Sequence, residues 1–162
     1  MHGKKVYINK SMYSIQGLKT VGNSLPKTLD KILKKQPDGE YKLNTRILNY
    51  HAALRGEFTF ALKNLIGMPR DPNSEFTEFH QDIASSVQAA YEEILLHILS
   101  WAKAQRPDYE NLCITGGCGL NVTANGKILS KKLFTKVLIP PAPHDAGCAV
   151  GAAFLAEVES ES

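Results

Sequence analysis

The sequence has few cysteines and no segment apolar enough for a membrane. Its 162 residues include three cysteines, Cys113, Cys118 and Cys148, with no CxxC pair. This odd count argues against a disulfide framework and against a structural zinc site. No apolar run approaches the roughly 20 residues of a membrane span, and residues 1–10 lack the apolar core of a signal peptide. These absences predict a soluble, cytoplasmic protein that has no membrane partner.

Excess charge of either sign is also lacking. Lysine and arginine number 19 against 16 aspartate and glutamate, a formal net charge of +3, which is too small for the footprint of a nucleic-acid-binding protein. The segment between Glu110 and Asp145 contains no acidic residue. Its four lysines are Lys127, Lys131, Lys132 and Lys136. A cluster of this size is typical of a solvated helix face, so nucleic acid is disfavoured as a partner.

The second half of the chain alternates between helical and strand patterns. Ile83, Val87, Ile94 and other apolar residues recur every three or four positions, which predicts a long helix over about 75–105. The patterns that follow predict a strand over 111–115, a helix over 120–132, a strand over 137–139 and a helix over 145–158. This order predicts an α/β architecture with a largely parallel sheet, whose ligands lie at the carboxyl ends of the strands.

The first half gives weaker signals. Residues 6–8 and 41–43 resemble short strands, and residues 58–66 a short helix. Ser24, followed by Leu25 and Pro26, is typical of a helix start. The leucines and isoleucine at 25, 29, 32 and 33 then extend a helical spacing to residue 33.

A glycine-rich turn, TGGCGLN at residues 115–121, follows the first of the two later strands. Its glycines allow a ligand close to the backbone, the following helix offers free N–H groups to an anion, and Asn121 offers a further hydrogen bond. A dinucleotide fingerprint fails because Val122 replaces the third glycine. A P-loop fails because Ile128 stands where Ser or Thr is required. A plain tight turn remains the alternative.

A second turn, PPAPHDAG at residues 140–147, precedes the last helix. Asp145 suits either the N-cap of that helix or a metal ligand. His144 is interpreted as a loop residue, since one His–Asp pair specifies no metal geometry. Cys118 is interpreted as a small hydrophobic residue rather than a nucleophile.

These motifs together resemble the nodulation-type O-carbamoyltransferase family. The resemblance rests on residues 112–121, 124–128 and 141–153, preceded by DIASSVQ at 82–88 and, more loosely, by residues 41–44 and 67–70. It implies one lobe of an actin-like, ribonuclease-H-like ATPase fold, with a mixed sheet and flanking helices, related to tRNA threonylcarbamoyl-transfer enzymes. On this basis residues 1–162 form one partial domain, with a loosely assigned part over 1–73, a nucleotide-binding core over 74–158 and an acidic tail over 159–162.

The resemblance also implies a function and a set of ligands. Such an enzyme uses ATP to form carbamoyl adenylate and transfers carbamoyl to the hydroxyl of a small-molecule acceptor. Gly116, Gly117 and Asn121 match the nucleotide-contacting motif, and Asp145 matches an aspartate that completes a site for a divalent metal, Mg or Fe. The expected partners are the first lobe, which carries a His-x-x-x-His pair absent here, and a carbamoyl-phosphate domain.

The chain departs from the family pattern near its start, where Met12 replaces an acidic residue and Ser14 a basic one. A single lobe offers half of the contacts of a cleft and cannot exclude water from it, so we expect this chain to be inactive alone. The alternative is a non-enzymatic α/β scaffold or interaction domain that keeps the fold. Apolar surface without its partner lobe also favours self-association.

Overall fold

The computed structural model describes residues 30–49 and 59–160 of the chain. The features expected at residues 6–8, Met12, Ser14 and Ser24 lie outside the described residues. The elements in chain order are β1 (Leu33–Lys35), β2 (Tyr41–Leu43), α1 (Phe60–Ile66), α2 (Glu78–Gln105), β3 (Asn111–Cys113), a 3-10 turn (Gly117–Leu120), α3 (Val122–Lys131), β4 (Lys136–Leu138) and α4 (Gly147–Ser160). The chain divides into two compact units, Met1–Ala102 and Lys103–Ser162.

Strands β1 and β2 form an antiparallel hairpin in the first unit, with Leu33 opposite Leu43 and Lys34 opposite Lys42. The turn between them places Asp38 and Gly39 at positive φ, 59° and 72°. Two successive positive φ values match the right-handed twist of the strands. The prediction that the helical spacing extends to Leu33 is therefore wrong at this residue. The hydrogen bonds of the hairpin outweigh a helical pattern that is only a few residues long.

The hairpin packs against α2. The His97 Nε2 lies 3.0 Å from the carbonyl oxygen of Gln36 and 3.1 Å from that of Glu40, so this ring nitrogen is the donor to the hairpin. Lys35 pairs with Glu93 on α2. Beside these contacts lies an apolar depression of about 230 Å³, lined by Leu33, Tyr41, Ala90, Tyr91, Ile94, Leu95 and Ile98. The hairpin is held by polar contacts around an apolar centre.

Helix α1 is fixed at both ends by local chemistry. The Thr59 hydroxyl accepts a hydrogen bond from the Leu62 amide at 3.0 Å and donates one to the Ile47 carbonyl at 2.5 Å. The helix ends at Gly67, whose φ of 83° favours glycine. Leu62 is the residue that α1 buries. The short helix predicted over 58–66 is confirmed within two residues of its start.

The second unit contains a parallel strand pair and α3. Strands β3 and β4 pair in register from Asn111 opposite Lys136 to Cys113 opposite Leu138. The core of this unit includes Ala124 and Ile128 of α3, each 1% exposed. The structure contains the three later helices and both later strands that the sequence predicts. Each begins and ends within three residues of its expected bounds; the helices were expected over 75–105, 120–132 and 145–158.

The coarse expectation of an α/β architecture is confirmed, whereas the expected mixed sheet is not found among the described residues. The antiparallel pair β1–β2 and the parallel pair β3–β4 form two separate two-stranded sheets. The reason is topological: a mixed sheet needs one strand that pairs on both of its edges, and none of these four strands does so. The actin-like lobe stays a prediction.

Within residues 30–49 and 59–160, each helix falls short of the length or the hydropathy that a membrane crossing requires. Helix α2 has the length, but polar and charged side chains such as Gln88, Glu92 and Glu93 interrupt it.

The turn that ends α2 contains an exposed ion pair between Arg106 and Asp108, at 3.0 Å. The guanidinium hydrogen bond lowers the pKa of the Asp108 carboxyl below its ordinary 3.8. A carboxyl with a lowered folded-state pKa stabilises the fold above its unfolded-state pKa, and this contribution disappears as pH falls through the folded-state pKa. We expect Asp108→Asn to lower the urea midpoint slightly at pH 7, because exposed pairs contribute little. The difference from the parent chain should shrink as pH falls below the unfolded-state pKa of Asp108 and vanish once pH lies below its lowered folded-state pKa; an unchanged difference in strong acid would contradict the assignment.

Candidate functional site

The glycine turn lies at the carboxyl end of β3. The Ile114 amide donates to the Leu138 carbonyl at 2.9 Å, which continues the parallel pairing one residue beyond the strand. The chain then reverses at Gly116, whose φ is 86°, and enters the 3-10 turn. A φ of this value is strained for any side chain, so glycine is required at this position.

The second predicted turn packs against the first. The Gly116 amide donates to the Pro143 carbonyl at 2.6 Å. A Cβ added to Gly119 would lie 3.2 Å from the Pro143 Cβ, so the absence of a side chain there lets the two segments meet. Pro143 is buried. The structure therefore brings both motifs to the carboxyl edge of the β3–β4 pair, where parallel sheets place their ligands.

Two N–H groups of the glycine turn are free to receive a ligand. Among residues 30–49 and 59–160, the amides of Gly117 and Cys118 donate no hydrogen bond. They are the first donors of the 3-10 turn, which its own geometry leaves unpaired. A Cβ built on Gly117 meets nothing within 4 Å. The turn thus presents adjacent amides beside open space, an arrangement suited to an anion.

Asn121 lies under this turn rather than at its surface. It is 1% exposed. Its side-chain oxygen accepts a hydrogen bond from the Ala124 amide at 3.1 Å and so caps α3. Sequence reasoning proposed a nucleotide contact here; that contact stays a prediction, and the structure gives the side chain a capping role.

Asn125 has a role that sequence reasoning missed. Its side-chain amide donates to the Gly119 carbonyl at 2.7 Å, and the residue is buried. It ties the start of α3 to the glycine turn, so the glycine turn has a fixed shape before any ligand arrives. The signal available in the sequence was an asparagine within an apolar helix pattern, where a buried amide needs a partner.

Asp145 and His144 are both exposed. The His144 Nδ1 accepts a hydrogen bond from the Ala146 amide at 3.2 Å, and the His144 carbonyl accepts one from Gly147 at 2.8 Å. Helix α4 begins at Gly147, so its N-cap position is residue 146. Asp145, for which an N-cap role was the alternative to a metal ligand, lies one residue before that position. Gly147 is needed there, because an added Cβ would collide with the Ala142 carbonyl oxygen.

The described part of the chain contains no group of three or more His, Cys, Asp or Glu side chains able to hold a metal ion. Asp145 offers one carboxylate, which does not make a metal site by itself. The predicted ligand role of Asp145 therefore requires ligands from outside residues 30–49 and 59–160.

Helix α4 exposes most of its apolar side chains. Val150 is 49% exposed, Phe154 and Leu155 are 64% exposed, and Val158 is 66% exposed. Its first ten residues carry no charge. A helix that is apolar on all sides is typical of a buried one, so this surface is suited to contact with further protein.

The chain matches the family model described as "Carbamoyltransferase N-terminus" over residues 2–154. An uncharacterised protein of Synechocystis sp. is 38% identical over 152 residues, covering 90% of this chain and 24% of that protein. Nodulation protein NolO of Bradyrhizobium diazoefficiens is 41% identical over 93 residues, covering 57% of this chain and 16% of its own length. Nodulation protein U of Azorhizobium caulinodans is 40% identical over 82 residues, 49% of this chain and 15% of its own. The chain thus spans a quarter or less of each of these three relatives.

Proposed function

The chain belongs to the carbamoyltransferase N-terminus family, and we propose that it forms the adenylate-binding part of an ATP-dependent O-carbamoyltransferase. In this proposal carbamoyl passes from carbamoyl adenylate to a hydroxyl of a small-molecule acceptor. The observation that carries the proposal is the pair of unengaged amides at Gly117 and Cys118 beside open space.

These amides suit the phosphate of the adenylate. When the acceptor hydroxyl attacks the carbamoyl carbon, a new carbon–oxygen bond forms and the bond from that carbon to the phosphate oxygen breaks. The electron pair remains on the departing phosphate, and the proton of the acceptor hydroxyl passes to solvent. Backbone N–H donors held in place before the reaction stabilise charge that develops on such an oxygen. Gly116 and Gly119 give the turn its shape, and Asn125 holds it.

The residues of this chain provide binding and orientation in the proposal, and no step is assigned to a metal. Because the described residues include no group of three or more His, Cys, Asp or Glu side chains that could hold a metal ion, they do not fit a complete metal site around Asp145. The first lobe and the carbamoyl-phosphate domain are proposed as the source of the remaining contacts. The exposed apolar surface of α4 supports assembly with further protein.

The test is a titration of the purified chain with ATP and with AMP plus magnesium, read by backbone amide NMR. We expect shifts centred on Gly116, Gly117 and Cys118, and no carbamoyl transfer by the chain alone. Gly117→Val should remove these shifts, because its side chain adds bulk next to the Gly117 amide, where the space is now open. Its fold should persist, since the backbone there is not left-handed and no atom lies within 4 Å of the added Cβ.

Gly126→Val is the matched control. Gly126 is an exposed glycine of α3 whose Cβ would also meet nothing within 4 Å, so the same substitution there should leave nucleotide shifts unchanged. A folded parent chain without shifts would overturn adenylate binding and favour the scaffold alternative. Carbamoyl transfer by the chain alone, abolished in Asp145→Ala, would overturn its role as one part of a larger enzyme.

A further inference from the structure

The outer side of the β1–β2 hairpin carries two lysines that face each other across the strands. Lys34 and Lys42 are register partners, and both are exposed. Directly opposed like charges destabilise a hairpin, so this pairing opposes the stability of the strands that carry it. Lys35, on the same hairpin, does not face this repulsion, because its charge is neutralised by Glu93 of α2.

Two further cations join this pair around a groove of about 510 Å³. The groove is lined by Lys31, Lys34, Lys42 and Arg46, together with polar and apolar neighbours, and none of the described residues that line it carries a carboxylate. Among residues 30–49 and 59–160, no acidic side chain forms an ion pair with any of the four. The volume falls within the range of small-molecule sites, roughly 300–1,000 Å³.

Asn44 holds the groove in shape. Its side-chain amide donates to the Lys31 carbonyl, and its side-chain oxygen accepts from the Arg46 amide, both at 3.1 Å. Its own amide donates to the Ile32 carbonyl at 2.7 Å. One side chain thus fixes the backbone of two of the four cationic residues, so their main-chain positions are set before a ligand arrives.

We propose that this groove, formed by Lys31, Lys34, Lys42 and Arg46 and here called the basic groove, binds a small, multiply charged anion of the phosphate class. Such a ligand would relieve the repulsion between Lys34 and Lys42 while it gains charge-assisted hydrogen bonds from both. The basic groove belongs to the first unit and shares no residue with the glycine turn of the second, so it is proposed as a second site in addition to the adenylate site. Four cations in one short groove fit a compact ligand better than a polymer.

The test uses inorganic tripolyphosphate as the probe, titrated by calorimetry at low ionic strength into the purified chain. We expect saturable binding that weakens as salt is added, because the contacts are exposed charges. The double variant Lys34→Gln with Lys42→Gln should weaken the Kd by roughly tenfold or more, since charge-assisted bonds are the strongest hydrogen bonds available to the ligand. Gly117→Val should retain tripolyphosphate binding, which separates this site from the adenylate proposal.

The control double variant Lys131→Gln with Lys136→Gln removes the same charge from exposed positions on α3 and β4. It should keep the parent Kd. Equal weakening by both double variants would show a general effect of net charge and overturn the proposal. Tighter binding of a single-stranded RNA oligonucleotide than of tripolyphosphate would overturn it in favour of a nucleic-acid surface.

A further variant, Lys42→Glu, tests the proposal even if the two lysine-to-glutamine substitutions lower the stability of the hairpin. It converts the opposed pair into an attractive one, so we expect the Tm to rise by roughly 1–3 °C while tripolyphosphate binding is lost. Retained binding in this folded variant would overturn the proposal.

Discussion

Replacing Gly39 by alanine is expected to lower the free energy of unfolding by about 3 kcal/mol, the sum of two costs. The first is backbone strain, because Gly39 has a φ of 72°, which costs an ordinary residue about 1–2 kcal/mol. The second is steric, because the new Cβ would lie 2.9 Å from the Cγ and Cδ2 atoms of the Trp101 ring. Overpacking of this kind costs about 1–3 kcal/mol. Urea unfolding followed by circular dichroism measures the sum.

Gly126→Ala is the matched control for this loss. Gly126 lies within α3, its Cβ would meet nothing within 4 Å, and it has no positive φ. Alanine there should raise stability by about 0.5–1 kcal/mol, since glycine in a helix interior is unfavourable. A Gly39→Ala variant as stable as the parent would contradict the contact between the hairpin turn and Trp101.

Ile128→Ala is the second substitution with a large expected effect. Ile128 is 1% exposed and is the largest buried apolar side chain of α3. Its truncation removes buried methyl groups and leaves a cavity, which costs about 2–5 kcal/mol. Because α3 begins directly after the glycine turn, we also expect the amide NMR signals of Gly117 and Cys118 to broaden. Urea unfolding and a two-dimensional amide spectrum measure both effects.

The neighbouring residue provides the comparison. Leu129 is 57% exposed, so Leu129→Ala should change stability by no more than about 0.5 kcal/mol. A similar loss in both variants would mean that α3 packs on a different face from the one described.

Sequence patterns were sufficient to predict the parts of the fold that depend on repetition along the chain. The spacing of Ile83, Val87 and Ile94 predicted α2, whose periodicity extends over many turns and so outweighs local exceptions. The alternation of strand and helix patterns in the second half predicted a largely parallel sheet, and β3 and β4 do pair in parallel. The linked motifs of residues 112–153 also identified the family.

Other features depend on partners that are distant in sequence, and these become visible only in the folded chain. Leu33 belongs to a strand because Leu43 pairs with it, which no local spacing records. His97 serves the hairpin because Gln36 and Glu40 present carbonyl oxygens to it. Asn121 is committed to capping α3 beneath the turn, and Pro143 joins the second motif to Gly116. Hydrogen bonds and packing act between groups that are close in space, so a role of this kind is fixed only once the chain has folded.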